Sequence, residues 1–212
     1  MITAFRPAAG ENRFQIDHQY SKELFSLALL RQLSGELLGS SKELVVVCIG
    51  TDRSTGDSLG PLVGTMLSRT STVPVYGTLA EPVHAVNLNE KLAEIQKAHP
   101  NSFIIAVDAC LGKSESVGCV SIKKGPLRPG TGVNKKLPQV GDMHIIGVVN
   151  VGGFMEYFVL QNTRLNLVMK MAELISEGLE WALSSLLKAN RASECASAAE
   201  YNLDIPFSPP LN

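Results

Sequence analysis

No uninterrupted apolar run in this 212-residue chain approaches the ~20 residues that a membrane-spanning helix needs, which excludes a simple helical anchor. The opening MITAFRPAAGENRF has neither the basic nor the apolar region of a secretory signal. An excess of charge is missing as well. Nineteen basic residues stand against twenty acidic ones, a formal charge of -1, so no global field draws nucleic acid or an anionic membrane. The four cysteines, Cys48, Cys110, Cys119 and Cys195, share no CxxC spacing, which argues against a zinc ribbon and reads as buried thiols in a reducing compartment. Also absent are a P-loop lysine motif, a GxGxxG after a strand, a GxSxG elbow and any internal repeat. These absences lead to an expectation of a soluble, cytoplasmic protein with no cofactor and no direct nucleic-acid or membrane partner.

What is present is a 45% apolar chain able to fill one core. Residues 1–19 carry no periodic pattern and read as an arm, 20–189 as a single domain, and 190–212, Ala- and Ser-rich and then Pro-rich, as a poorly ordered tail. From Tyr20 to Leu38 the spacing of Leu24, Leu27, Leu30, Leu33 and Leu37 predicts an amphipathic helix closed by Gly39. Strands are expected near 44–50, 73–79, 103–107, 118–124 and 143–150, with helices near 58–70 and 85–98. A long loop, GPLRPGTGVNKKLPQVGD, separates the last two strands. A helical region runs from Gly152-Gly153 to about Leu187, with a break near Asn162. Its Leu and Met stripe suits either core or a homo-oligomer contact. Alternating strands and helices imply a three-layer α/β/α sandwich around a mainly parallel, doubly wound sheet. In the order 2-1-3 the first and third strands are neighbours and leave a ligand-binding crevice at the switch point.

Two acidic residues fall at that crevice. VVVCIGTDRSTGDSLGP runs from a buried strand through a glycine-bearing loop to a helix start, and it carries Asp57; FIIAVDAC carries Asp108 at the end of the third strand. Two neighbouring carboxyl groups cannot both ionise cheaply, so a shared proton gives a base and an acid suited to water-mediated amide hydrolysis. Backbone N–H groups of the glycine-bearing loops can stabilise the oxyanion. The ordinary alternative is that Asp57 caps the helix and Asp108 binds loop amides. Ser54 and Ser58 read as caps rather than nucleophiles. His84 and His144 are weighed as metal ligands or, more commonly, as hydrogen-bonded structural histidines. Cys110 lies two residues past Asp108 with no evident base. Lys123, Lys124, Arg128, Lys135 and Lys136 form a basic cluster that is either a solvated surface or a dock for an acidic segment.

TGDSLGP closely resembles the first aspartate motif of the spore germination proteases, atypical aspartic endopeptidases that degrade small acid-soluble spore proteins. AVDAC resembles their second aspartate segment, and PGTGVNKK followed by HIIGVVNV resembles their glycine-rich segment and the strand after it. From Phe14 to about Ala172 the chain resembles the YyaC-type sporulation proteins, which look like compact relatives of those proteases and, more remotely, of the hydrogenase maturation endopeptidases. The resemblance implies a phosphorylase/hydrolase-like fold and a sporulation-associated endopeptidase with Asp57 and Asp108 catalytic. Gly50, Thr51, Asp52, His84 and Asn134 are the candidate substrate-binding residues, and the expected partner is a protein or peptide, with a spore protein as the candidate. No metal is assigned, since neither His84 nor His144 copies the histidine motif of the maturation enzymes. A non-catalytic binding or assembly protein and a metal-dependent maturation-type peptidase stand as alternatives.

Overall fold

The structure, a computed structural model, describes residues 12–129 and 137–201, with side chains in the last helix described as far as residue 193. Its organising strand is β2 (Glu43–Cys48), where alternation divides the side chains between two cores. Val46 and Cys48 enter one core; Val45 and Val47, followed by Ile49, enter the other, and all five are buried. A strand covered on both faces needs a continuous apolar run, which is what the sequence supplies here.

β2 pairs in parallel with β3 (Val75–Tyr76) and with β4 (Ser102–Gly112), and β4 pairs in parallel with β6 (Met143–Val151). β5 (Cys119–Lys124) runs antiparallel to β6, and β1 (Arg13–Gln15) antiparallel to β5. The six-stranded order is β1-β5-β6-β4-β2-β3, so the expected 2-1-3 arrangement is present as β3-β2-β4. The sheet is mixed, mainly parallel, with helices on both sides, an α/β/α sandwich.

One face carries α1 (Ser21–Leu37), α2 (Leu59–Leu67) and α5 (Leu165–Tyr201), which share a core with Val46, Ile105, Val107 and Ile145. The other carries α3 (Leu88–Ala98), whose Leu88 and Ile95 pack with Val45 and Val47. Leu127 and Val140 join this second core through an isolated antiparallel bridge. The apolar stripe of α5, including Val168, Met171, Ile175, Leu179 and Leu186, packs within the chain's own core.

Several elements differ from their expected limits. Residues 13–15 lie in the stretch read as an arm but form an edge strand, with Phe14 buried against Phe25. α5 continues to Tyr201, past residue 190 where a tail was expected. In α1 the buried face is Phe25, Leu29, Leu33 and Leu37, an i, i+4 series. Leu27 is off that face and is 56% exposed. The break near Asn162 is real: α4 (Glu156–Gln161) ends there before α5 begins.

Candidate active site

β2 stops at Cys48, paired with Val107, whereas β4 continues four residues beyond Asp108 alongside β6. Asp108 therefore lies within a strand, not at its end as the sequence suggested. It occupies the first position of β4 past the last partner on β2. The crevice opens here because the chain after β2 turns toward α2 while the chain after β3 bridges to Ile49 through Val83.

Gly50 begins the loop at φ +145°, a backbone conformation that side-chain-bearing residues rarely adopt. A Cβ at this position would overlap the main-chain carbonyl oxygen of Asp57. The Gly50 N–H donates to Val83 O at 2.8 Å, and the Thr51 N–H donates to Asp57 O at 3.1 Å, which closes the loop on itself. The Gly56 N–H donates to Leu160 O at 2.8 Å and ties the same loop to α4. α4 has no buried residue; it is further held by the Asn150 side chain, whose Nδ2 donates to Val159 O at 3.3 Å.

Asp57 and Asp108 line one cleft of about 830 Å³, together with Thr51, Ser54, Cys110 and Arg128. Leu111, Leu127, Leu137, Met155, Tyr157, Phe158 and Leu160 supply its apolar walls. Burial pushes the Asp57 carboxyl up to about 6, opposed by the Thr51 backbone N–H and by His84. Burial also raises Asp108 well above the ordinary carboxylate range, and the negative charge of Asp57 raises it further. Among the described residues the contact that opposes this is the Ala109 N–H, which donates to Oδ1 at 2.8 Å. Both carboxyls are thus raised by burial, and Asp108 is raised further by the charge of its neighbour, so the pair gives up its two protons less readily than exposed aspartates do. Such a couple offers an acceptor and a donor to the same bound molecule.

The other candidate residues divide. Thr51 lines the cleft, whereas Gly50 acts through the shape of the Asp57 loop and Asp52 is exposed and does not line the cleft. His84 sits beside the lining residue Ala85; its backbone is fixed by Asn87, whose Oδ1 accepts the His84 N–H at 2.8 Å. Among the described residues its Nδ1 is buried with no hydrogen-bond partner, unlike a structural histidine. His144 is the structural case, with Nδ1 bonded to Gly125 O at 2.8 Å. Asn134, Lys135 and Lys136 lie outside the described residues. Lys124 pairs with Glu36 at 2.6 Å, and Arg128 of the same basic cluster reaches the cleft. Cys110 lines the cleft, but burial and the charge of Asp108 push its thiol up to about 11, against a nucleophilic role. Asp57 does not behave as a cap: the residue at the α2 N-cap is Ser58, whose hydroxyl donates to Thr55 O at 2.7 Å.

Among the described residues no group of three or more His, Cys, Asp or Glu side chains is gathered to hold a metal ion. Among the same residues no helix is long and apolar enough to cross a membrane.

Fold and cleft together define an α/β/α protein with two aspartates in a cleft at the switch point of its sheet. The overall structure is similar to that of the NiFe hydrogenase maturation protease HycI from Thermococcus kodakarensis KOD1, with a TM-score of 0.50 at 19% identity, over 74% of this chain and 99% of that one. At that identity the likeness concerns the fold. Residues 16–178 match the family described as protein of unknown function DUF1256, and the chain belongs to that family. It is 65% identical over 142 residues to the protein named "Uncharacterized protein YyaC" of Bacillus subtilis (strain 168), 66% of this chain and 69% of that relative.

Proposed function

We propose that the protein is a peptide hydrolase of the sporulating cell that uses Asp57 and Asp108 on a peptide lying in the cleft. The observation that carries this reading is the meeting of two carboxyls with raised pKa values in one partly apolar cleft at the switch point of the sheet. In this mechanism ionised Asp57 takes a proton from an attacking water, and protonated Asp108 donates a hydrogen bond to the carbonyl oxygen as the tetrahedral centre forms. Collapse returns a proton to the leaving amine, and the products are a carboxyl and an amine terminus. The protease-like fold supports the reaction class. The motif order TGDSLGP, AVDAC and PGTGVNKK supports a spore or sporulation protein as substrate and the cytoplasm as the place of action.

The test is cleavage of a quenched-fluorescent hexapeptide library by the full chain between pH 5 and 8. Asp57→Asn and Asp108→Asn each lower the rate by about 10²- to 10⁴-fold, the range of a lost general acid or base, with the fold intact by circular dichroism. Full activity in Asp108→Asn removes that residue from the mechanism. A second reading, a binding module on the same fold, is favoured by the apolar surface at the cleft, where the lining residues Met155 and Tyr157 are 53% and 61% exposed. Under it the wild type captures peptides from the library without cutting them.

A further inference from the structure

Ser54 lies in the loop that leads to Asp57 and is only 8% exposed. Its hydroxyl is sealed from solvent and, among the described residues, has no hydrogen-bond partner. The same residue lines the cleft with Thr51, Asp57 and Asp108. Neighbouring hydroxyls are committed to the loop: Ser58 Oγ donates to Thr55 O at 2.7 Å, and Thr51 Oγ1 accepts the Arg53 N–H at 3.3 Å. The main chain of Ser54 is fixed as well, its carbonyl accepting the Ser58 N–H at 3.0 Å. A buried hydroxyl without a partner destabilises a fold, so a loop that needed only its shape here would be better served by alanine.

We propose that the Ser54 hydroxyl is a substrate-binding group, the neutral donor that holds a main-chain carbonyl oxygen of a bound peptide beside Asp57 and Asp108. Ionised Asp57 only accepts hydrogen bonds and protonated Asp108 has a single hydrogen to give, so a further main-chain carbonyl oxygen of a peptide brought to the pair needs a donor from elsewhere. A hydroxyl can rotate its hydrogen toward that oxygen. Neither carboxyl is bonded to Ser54 Oγ, so the contact between nucleophile and base that an attacking serine requires is missing. The identity of the ligand as a peptide rests on the hydrolase reading; the availability of the hydroxyl does not.

The test uses the full chain and Ser54→Ala, with two probes: a non-cleavable apolar hexapeptide carrying a statine residue, and the quenched-fluorescent hexapeptide library. Ser54→Ala is expected to melt at or above the wild-type temperature, because it deletes an unpartnered group, and to bind the statine peptide about 3- to 10-fold more weakly. Library cleavage falls by at least the same factor. A clearly lower melting temperature makes the hydroxyl structural and overturns the assignment, as does unchanged affinity for the statine peptide. If the wild type binds this peptide but cuts nothing, the hydrolase reading fails and the Ser54 assignment is still decided by binding. If it cuts the library and Ser54→Ala cuts equally well, the assignment fails alone. A wild type that neither binds nor cuts overturns both.

Discussion

Asp57→Asn should make the protein more stable at neutral pH and leave its stability nearly unchanged near pH 3.5. The folded carboxyl titrates at about 6 and the ordinary value is 3.8, a displacement caused mainly by burial. Between those values the native state holds a proton that the unfolded chain has already lost. Stability therefore falls as pH rises through this window, and the whole cost of the buried charge is present above about pH 6. At 1.36 kcal/mol for each pH unit, that cost is about 3 kcal/mol as an upper bound, since the Thr51 N–H and His84 would solvate an amide differently. Asparagine keeps the volume and removes the charge. It also removes the negative charge that raises Asp108, so the remaining carboxyl should ionise at lower pH. Urea unfolding of wild type and Asp57→Asn at pH 3.5, 5 and 7.5 reads the difference directly. A gap that opens from near zero to about 2–3 kcal/mol in favour of the variant is expected. A variant equally or less stable at pH 7.5 would refute the claim that this carboxylate is held in a costly environment.

Gly50→Ala should cost about 2–5 kcal/mol, combining backbone strain at φ +145° with overlap on the Asp57 carbonyl, and should abolish ligand binding at the cleft; urea unfolding and peptide binding check it. Gly178→Ala tests the α1–α5 contact, because a Cβ there would press on the buried ring of Phe25. Overpacking of about 1–3 kcal/mol should outweigh the roughly 1 kcal/mol of helix propensity that alanine gains, so the variant unfolds at lower urea concentration. Cys110, with its thiol raised to about 11, should react with iodoacetamide at pH 7.5 far more slowly than free cysteine, as followed by mass spectrometry.

The part of the fold built on local pattern was readable from residues alone. Val45 to Ile49 is an apolar run suited to a doubly covered strand, and right-handed crossovers limit its neighbours to a few orders, of which 2-1-3 is the one found, as β3-β2-β4. Features decided by distant contacts were not readable. β1 has three residues, and its pairing with β5 depends on a partner more than a hundred positions away. β4 extends through Ala109-Cys110-Leu111-Gly112 because β6 lies beside it, across a bulge at Cys110 and Leu111, although glycine there suggests a strand end. Leu27 fitted a leucine count but not the 3.6-residue period set by Phe25. At the site, Asp57 stood out through its place after a strand and Asp108 through its place behind an apolar run, although β4 continues past it, whereas Ser54 had the local signature of any cap. Only the absence of a partner for its hydroxyl separates it from Ser58.

The central claim is that Asp57 and Asp108 form one electrostatically coupled pair in a common cleft. It is tested most directly by titrating their side-chain carboxyl carbons by 13C NMR in the full chain, with Asp57→Asn and Asp108→Asn assigning the signals. A step near pH 6 at Asp57, one raised well above 3.8 at Asp108, and a response of each signal to the other's titration are the expected result. Two independent titrations near the ordinary value of 3.8, unchanged by loss of the other carboxyl, would contradict it.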